Sequence, residues 1–352
     1  MLLDLVQPQS GLKYEYVEKW KKYDYTIDIN GGVYSDPGNL DHADLAYREL
    51  TPDENAEVVF VHPFANYLTE PGPYFDLWLG NWIFPFYHLL SSHGYEVALS
   101  SDFVSDKINV APVRLMRFLS EGALERLKSE CKPVFCCSEL SATAKDSEGI
   151  YYIKQNPATV STIRDMSFYL FEQDLKPRDS QREDRLKTIA YLGCENNLHK
   201  ELKSDRFSKF LEDLDVEFRI CGADNATGWG NYRDVDLVLA IRPDLRSRYR
   251  QKPASKLVNC WRAGVPLLAA HESAYTDLGR NRHDVLLVRT ISGARKVIRR
   301  LTDPRKYERI RRGVRRRQVQ YSDERIAADY FRKLVELVSC GSKNGSGAPP
   351  AV

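Results

Sequence analysis

Short apolar runs, each long enough for one buried strand and separated by helix-length segments, recur from Val58 onward and restart after a polar interruption at residues 172–184. Strand, helix and strand in succession predict a parallel sheet with helices packed on it. The first series places strands over 58–61, 95–99, 133–137 and 149–154, a helix over 82–93 ended by Gly94, and an amphipathic segment over 114–128. The second places strands over 188–192, 216–221, 235–241, 265–270 and 285–288, then helices over 292–302, 304–319 and 322–338. At 352 residues the chain exceeds what one core usually organises, so two doubly wound α/β domains are expected.

The expected boundaries follow from these changes of texture. Residues 1–56 mix aromatics, acids and turn residues without a sustained period and are read as an irregular extension. Residues 57–180 form the first domain, 181–338 the second, and 339–352, rich in Gly, Ser and Pro, a disordered tail. The polar stretch 172–184 is expected to be an exposed linker.

A formal net charge of +2 excludes any overall attraction to polyanions, so a basic partner site must be local. The amino terminus has no positive region followed by an apolar run, and no window is apolar enough to span a membrane. The seven cysteines form an odd set with no CxxC pair, which fits reduced core thiols and a cytoplasmic protein.

Ligands of open parallel sheets bind beyond the carboxyl ends of the strands. After the strand over 188–192 come Gly193, which allows close backbone approach, and Asn196 and Asn197, whose amides can donate to phosphate oxygens. The strand over 235–241 ends in Arg242, whose guanidinium suits a diphosphate and equally suits a surface pair with Asp244. A helix that starts near Lys252-Pro253-Ala254-Ser255-Lys256 and ends at Gly264 carries two ammonium groups, a hydroxyl and free N–H groups at its positive end. Asn259 lies one turn after Ser255 on the same face, within reach of a ribose hydroxyl. His271, Glu272 and Ser273 follow the strand over 265–270 and either face a bound sugar or cap the next helix.

The helix ending in Ala263-Gly264-Val265-Pro266 resembles the donor-binding helix of GT-B glycosyltransferases, of the family 1 and family 4 bacterial type. Tyr191-Leu192-Gly193, Trp229-Gly230-Asn231-Tyr232 and Glu272-Ser273-Ala274-Tyr275 agree with it. In the first half, Gly80-Asn81-Trp82 is similar to the acceptor-side loop of that superfamily, and His93-Gly94-Tyr95-Glu96-Val97 to the strand that follows. The resemblance covers roughly residues 57–338 and implies two facing Rossmann-like domains. It also implies a nucleoside diphosphate sugar as donor, and a saccharide, lipid-linked or small-molecule hydroxyl as acceptor, as in polysaccharide biosynthesis. It requires neither metal nor cofactor. Many retaining members carry two glutamates on this helix; here those positions are Gln251 and Asn259, so the retaining mechanism does not follow.

An inverting reaction needs a base from the first domain. His62, directly after the strand over 58–61, is best placed, with Asp76 and Asp102 as further candidates. Between Arg295 and Arg317, 12 of 23 residues are Lys or Arg, a run that suits a solvated face or peripheral contact with an anionic membrane. Nucleic acid fits less well, because no aromatic stacking platform accompanies the arginines. The rival readings are a GT-B-type nucleotide-sugar epimerase and a noncatalytic protein that binds a nucleotide sugar, a nucleic acid or an anionic surface. No P-loop, zinc spacing or Gly-x-Ser-x-Gly elbow points elsewhere.

Overall fold

The computed structural model describes residues 27–29, 32–34, 55–62, 83–137, 148–169, 171, 175–221, 229–245 and 249–343. Near the amino terminus, β1 (Ile27–Ile29) and β2 (Gly32–Tyr34) pair antiparallel, so the stretch expected to be irregular contains a regular strand pair. The remainder divides into two compact units. One comprises Met1–Gln155, Thr159–Phe168 and Ile326–Val352; the other comprises Asn156–Ala158 and Tyr169–Arg325. The division thus falls at 168/169 where a boundary near 180 was expected, and the last helix returns to the first unit.

In the first unit, β3 (Val58–Val61), β4 (Val97–Ser100), β5 (Ile108–Pro112), β6 (Lys132–Cys136), β7 (Tyr151–Lys154) and β8 (Asp165–Ser167) form one sheet in the order β4-β3-β5-β6-β7-β8. Every pairing is parallel. β3, fully buried, reads as a continuous apolar run, whereas Asn109 interrupts β5 and Asp165 and Ser167 flank a single buried methionine in β8. Val59, Val61, Ala98, Ala111 and Phe135 fill the core on one side. On the other, Phe60, Phe86 and Phe168 gather around Tyr330, with ring centroids 6.5, 4.2 and 4.9 Å away. Helix α1 (Phe84–Ser92) precedes β4. The expected amphipathic segment is a 3-10 turn over Val113–Phe118 followed by α2 (Glu121–Glu130), whose start is fixed by Ser120 accepting a bond from Ala123 N.

In the second unit, β9 (Thr188–Leu192), β10 (Glu217–Cys221), β11 (Leu237–Ala240), β12 (Leu267–Ala270) and β13 (Leu286–Val288) pair in the order β10-β9-β11-β12-β13, all parallel. Strand parity sorts the core. Ile189, Tyr191, Leu237, Leu239 and Leu268 join one cluster, with α3 (Asp205–Glu212) and α6 (Ile291–Leu301). Ala190, Leu192, Val238, Ala240 and Ala269 join the other, with α4 (Ser255–Ala263) and Val314 of α7 (Pro304–Gln320). The chain order reverses between β9 and β11, which makes the carboxyl ends of those two strands the crevice where a doubly wound sheet binds its ligand.

The segment expected to be an exposed linker is built into this unit. Arg178 is buried; its guanidinium bonds Asp236 through Nε at 3.0 Å, and its backbone N–H donates to Ala263 O at 3.0 Å. The last helix, α8 (Asp323–Lys343), runs five residues past the expected end at 338, so part of the expected tail is helical. Leu334, Leu337 and Val338 are buried, and the Tyr151 hydroxyl donates to Val338 O, which docks the turn that leads into residues 339–343. Residues 344–352 lie outside those described.

Candidate functional site

The site is built at the ends of β9, β11 and β12. Beyond Leu192 the chain turns through Gly193 at φ +149°, a conformation that L side chains rarely adopt. A Cβ there would lie 2.6 Å from Lys256 Nζ, so the glycine is needed for the backbone angle and for the lysine's approach. The following Glu195–Asn197 is a 3-10 turn, with Asn196 exposed and Asn197 half-buried.

Lys256 comes from the first turn of α4. This helix starts at Ser255 with Ala254 as its cap, and no side chain caps it. Pro253, expected in the first turn, therefore precedes the cap; the Lys252 N–H closes a turn onto Tyr249 O at 2.9 Å. First-turn amides of a helix have no intrahelical acceptor, which leaves this end a donor of N–H groups. The other end is closed by Gly264 at φ +72°, with Val265 N donating to Cys260 O at 2.9 Å, while Leu257, Val258, Cys260 and Trp261 anchor the helix in the core.

The Lys256 ammonium donates to Leu192 O and lies 5.1 Å from the centroid of the Tyr191 ring. Burial lowers its pKa from 10.5 to about 8; the like charge of Arg242 adds to the shift, and Glu272 opposes it. Arg242, two residues past β11, donates from Nε to Glu272 Oε1 at 3.0 Å, with its guanidinium 5.4 Å from the Tyr249 ring centroid. Glu272 is 1% exposed, and its second oxygen has no hydrogen-bond partner among the described residues. Burial raises its pKa, against the pull of Arg242, Lys256 and Lys252. Glu272 occupies the cap position of α5 (Ser273–Leu278) yet makes no capping bond; its carboxylate serves Arg242 instead.

Ser273 and Lys252 are joined by a residue that sequence reasoning missed. Asn156 Nδ2 donates to Ser273 Oγ and to Lys252 O, both at 2.8 Å, and Asn156 Oδ1 accepts from Ala158 N at 2.9 Å. Its only sequence signal is a polar residue before Pro157, just after the strand β7. Gly193, Lys256, Arg242 and Glu272 thus make one connected cluster, and Lys252 and Ser273 are tied by Asn156. Ser255, Asn259 and His271 are half-buried on the same elements. Three cations against one buried carboxylate favour an anion, and the Arg242 pair keeps that carboxylate from opposing it.

In the first unit, His62 directly follows β3 and is 3% exposed, with its ring centroid 4.8 Å from that of Phe84. Burial pushes its pKa down to about 3, which leaves a neutral ring that accepts protons poorly at neutral pH. Asp102, two residues past β4, is half-buried, accepts from Phe103 N at 3.1 Å, and has its pKa raised by burial to about 7. Asp76, Gly80 and Asn81 lie outside the described residues. Among the described residues no group of three or more His, Cys, Asp or Glu is placed to hold a metal ion, and no helix is long and apolar enough to cross a membrane.

No family model and no curated protein matches the sequence. Solved structures resemble the chain in fold. Sucrose-phosphate synthase from Thermosynechococcus elongatus aligns at a TM-score of 0.50 and 8% identity, over 81% of this chain and 100% of that one. Anabaena Alr3699/HepE, solved in complex with UDP and glucose, aligns at 0.46 and 10% identity, over 80% and 100%. A chain of the accessory secretory protein 1, 2 and 3 structure from Streptococcus pneumoniae aligns at 0.43 and 12% identity, over 68% of this chain and 54% of that one, so this chain spans about half of its length. At such identities the likeness speaks to the fold alone. With its two parallel sheets and flanking helices, the chain has the α/β fold of the GT-B glycosyltransferases.

Proposed function

We propose that this protein is a glycosyltransferase that moves a sugar from a nucleoside diphosphate sugar to a hydroxyl acceptor. The observation that carries the reading is the Gly193–Lys256–Arg242 cluster at the reversal point of the second sheet, beside the open start of α4. A diphosphate seated there would accept from the first-turn N–H groups of α4. Lys256, Lys252 and Arg242 would meet its charge. Ser255 adds a hydroxyl, Asn259 suits a ribose hydroxyl, and the half-buried His271 would face the sugar, while the buried Glu272 and Ser273 would act through Arg242 and Asn156.

In the reaction the acceptor oxygen attacks the anomeric carbon, the bond from that carbon to the β-phosphate oxygen breaks, and the nucleoside diphosphate leaves. The cations at the site stabilise the charge that develops on the departing phosphate. The acceptor's proton goes to a base, for which a carboxylate with a pKa of about 7 is well matched; Asp102 has this value and His62 does not.

A thermal-shift panel of nucleoside diphosphates and their sugars tests the donor site. A ligand at about 100 times its Kd stabilises the folded state by about 2.7 kcal/mol. The reading predicts that at least one nucleotide sugar raises the midpoint, and that Asp102→Asn keeps this shift while losing transfer. If no nucleotide sugar shifts the wild type, the proposal fails.

A further inference from the structure

Ten of the twelve basic residues of α6 and α7 fall, in the structure, into two groups; Lys296 and Arg300, exposed on α6, belong to neither. Arg311 and Arg315 pair with Asp184 at 2.6 and 2.5 Å, and Arg317 pairs with Asp284 at 2.8 Å. Arg295 and Arg299 lie over the Phe210 ring at 5.9 and 5.3 Å, and Lys306 pairs with Asp303 at 3.1 Å. These side chains hold the fold.

Arg305, Arg309, Arg312 and Arg316 are different. All are exposed, and among the described residues the one ion pair made by their guanidiniums is that of Arg312 with Glu308, at 3.9 Å. Their spacing of four, three and four residues places them within an arc of about 60° on α7, in a row about 16 Å long. The buried side of the helix, with Tyr307, Ile310 and Val314, faces the opposite way. Val319, 62% exposed, extends the row by one more turn. Like charges at these spacings destabilise a helix, so the row does not serve α7 itself. The helix carries eight basic residues and one acidic residue in a chain whose net charge is only +2, so positive charge is concentrated on this helix, and four of the eight lie in the exposed row.

We infer that the Arg305–Arg309–Arg312–Arg316 row is a docking surface for an anionic membrane. Four guanidiniums on long stems along a straight ridge match a plane of lipid phosphates, and Val319 is an apolar side chain at its end that can enter the headgroup layer. A nucleic acid is the poorer match, because the row includes no aromatic side chain on which bases could stack. None of these residues belongs to the proposed donor site, so either reading can fail without the other.

The test is co-sedimentation of the full chain with vesicles of phosphatidylcholine containing about one-third phosphatidylglycerol, against pure phosphatidylcholine. The wild type is expected to bind the anionic vesicles at low salt and to be released at about 0.5 M salt. In Arg305→Gln/Arg309→Gln/Arg316→Gln, partitioning is expected to fall about 100-fold, or about fivefold per arginine. The control Lys200→Gln/Arg206→Gln/Lys209→Gln, which removes equal charge from exposed positions elsewhere, is expected to stay within about threefold of wild type. Absence of wild-type binding at low salt overturns the inference, as does equal loss in both variants. Tighter binding of an RNA duplex than of the vesicles, lost in the first variant alone, also overturns it. So does wild-type binding that persists undiminished at about 0.5 M salt, since lipid phosphates would then not be what the arginines meet.

Discussion

Lys256 is costly to the unliganded fold, and the size of that cost can be worked out. Its pKa falls from 10.5 to about 8 because the ammonium is taken from water next to Arg242. That lowering corresponds to about 3 kcal/mol of destabilisation when the lysine is charged in both folded and unfolded states. Since the folded-state pKa is the lower one, the penalty is complete below pH 8, fades as pH rises towards 10.5, and is absent above that. Lys256→Met keeps most of the apolar stem and removes the charge. It is expected to stabilise the unliganded protein at pH 7 by up to about 3 kcal/mol, a rise of several degrees in the unfolding midpoint at ~2–4 °C per kcal/mol. Loss of the bond to Leu192 O offsets part of the gain. Urea unfolding at pH 7 and pH 10 measures the difference, which should shrink at the higher pH. A variant less stable than wild type by the same amount at both pH values would refute the electrostatic account of Lys256.

Other substitutions probe the frame around the site. Gly193→Ala combines a strained φ with displacement of the Lys256 ammonium, so it is expected to cost about 1–2 kcal/mol, with non-additive behaviour when combined with Lys256→Met; additivity in a double-mutant cycle would mean that the two do not touch. Gly313→Ala, which would stabilise an ordinary helix, places a Cβ 1.6 Å from the backbone oxygen of His283 and is expected to cost about 3 kcal/mol in denaturant unfolding. Asp236→Asn breaks a buried carboxylate held by Arg178, Arg182 and the N–H groups of Lys187 and Thr188, with an expected cost of about 3–5 kcal/mol by the same assay.

Most of the second sheet is legible in the sequence because β9, β11 and β12 are buried on both faces: β9 spans 188–192 as expected, and β11, β12 and β13 lie within the expected runs, while the half-exposed edge strand β10 falls within the expected 216–221. In the first sheet β5 escapes notice because Asn109 and Pro112 interrupt its apolar pattern. Asn109 is buried without penalty, since its amide donates to Val104 O and Lys107 O at 2.8 and 2.9 Å. Arg178 and Arg182 read as a solvated linker because their partner, Asp236, is more than fifty residues away. At the site, Gly193, Arg242 and Lys256 are visible as strand-end and helix-start residues, which local sequence patterns define. Asn156 is not, because it reaches Lys252 from another segment 96 residues earlier. Nor does local sequence decide that Glu272 would pair with Arg242 in place of capping α5.

Calorimetric titration of the wild type and Lys256→Met with UDP, GDP, ADP and dTDP, each at pH 7 and pH 9 in buffers of different ionisation enthalpy, tests the donor site most directly. A bound diphosphate should restore the charge on Lys256, so above its unliganded pKa of about 8 binding should take up close to one proton. Affinity for the preferred nucleotide should then be about tenfold weaker at pH 9 than at pH 7, and Lys256→Met should bind weakly with no proton uptake. If none of the four nucleotides binds the wild type, or if Lys256→Met binds with the same affinity and the same proton count, Lys256 does not hold a donor diphosphate.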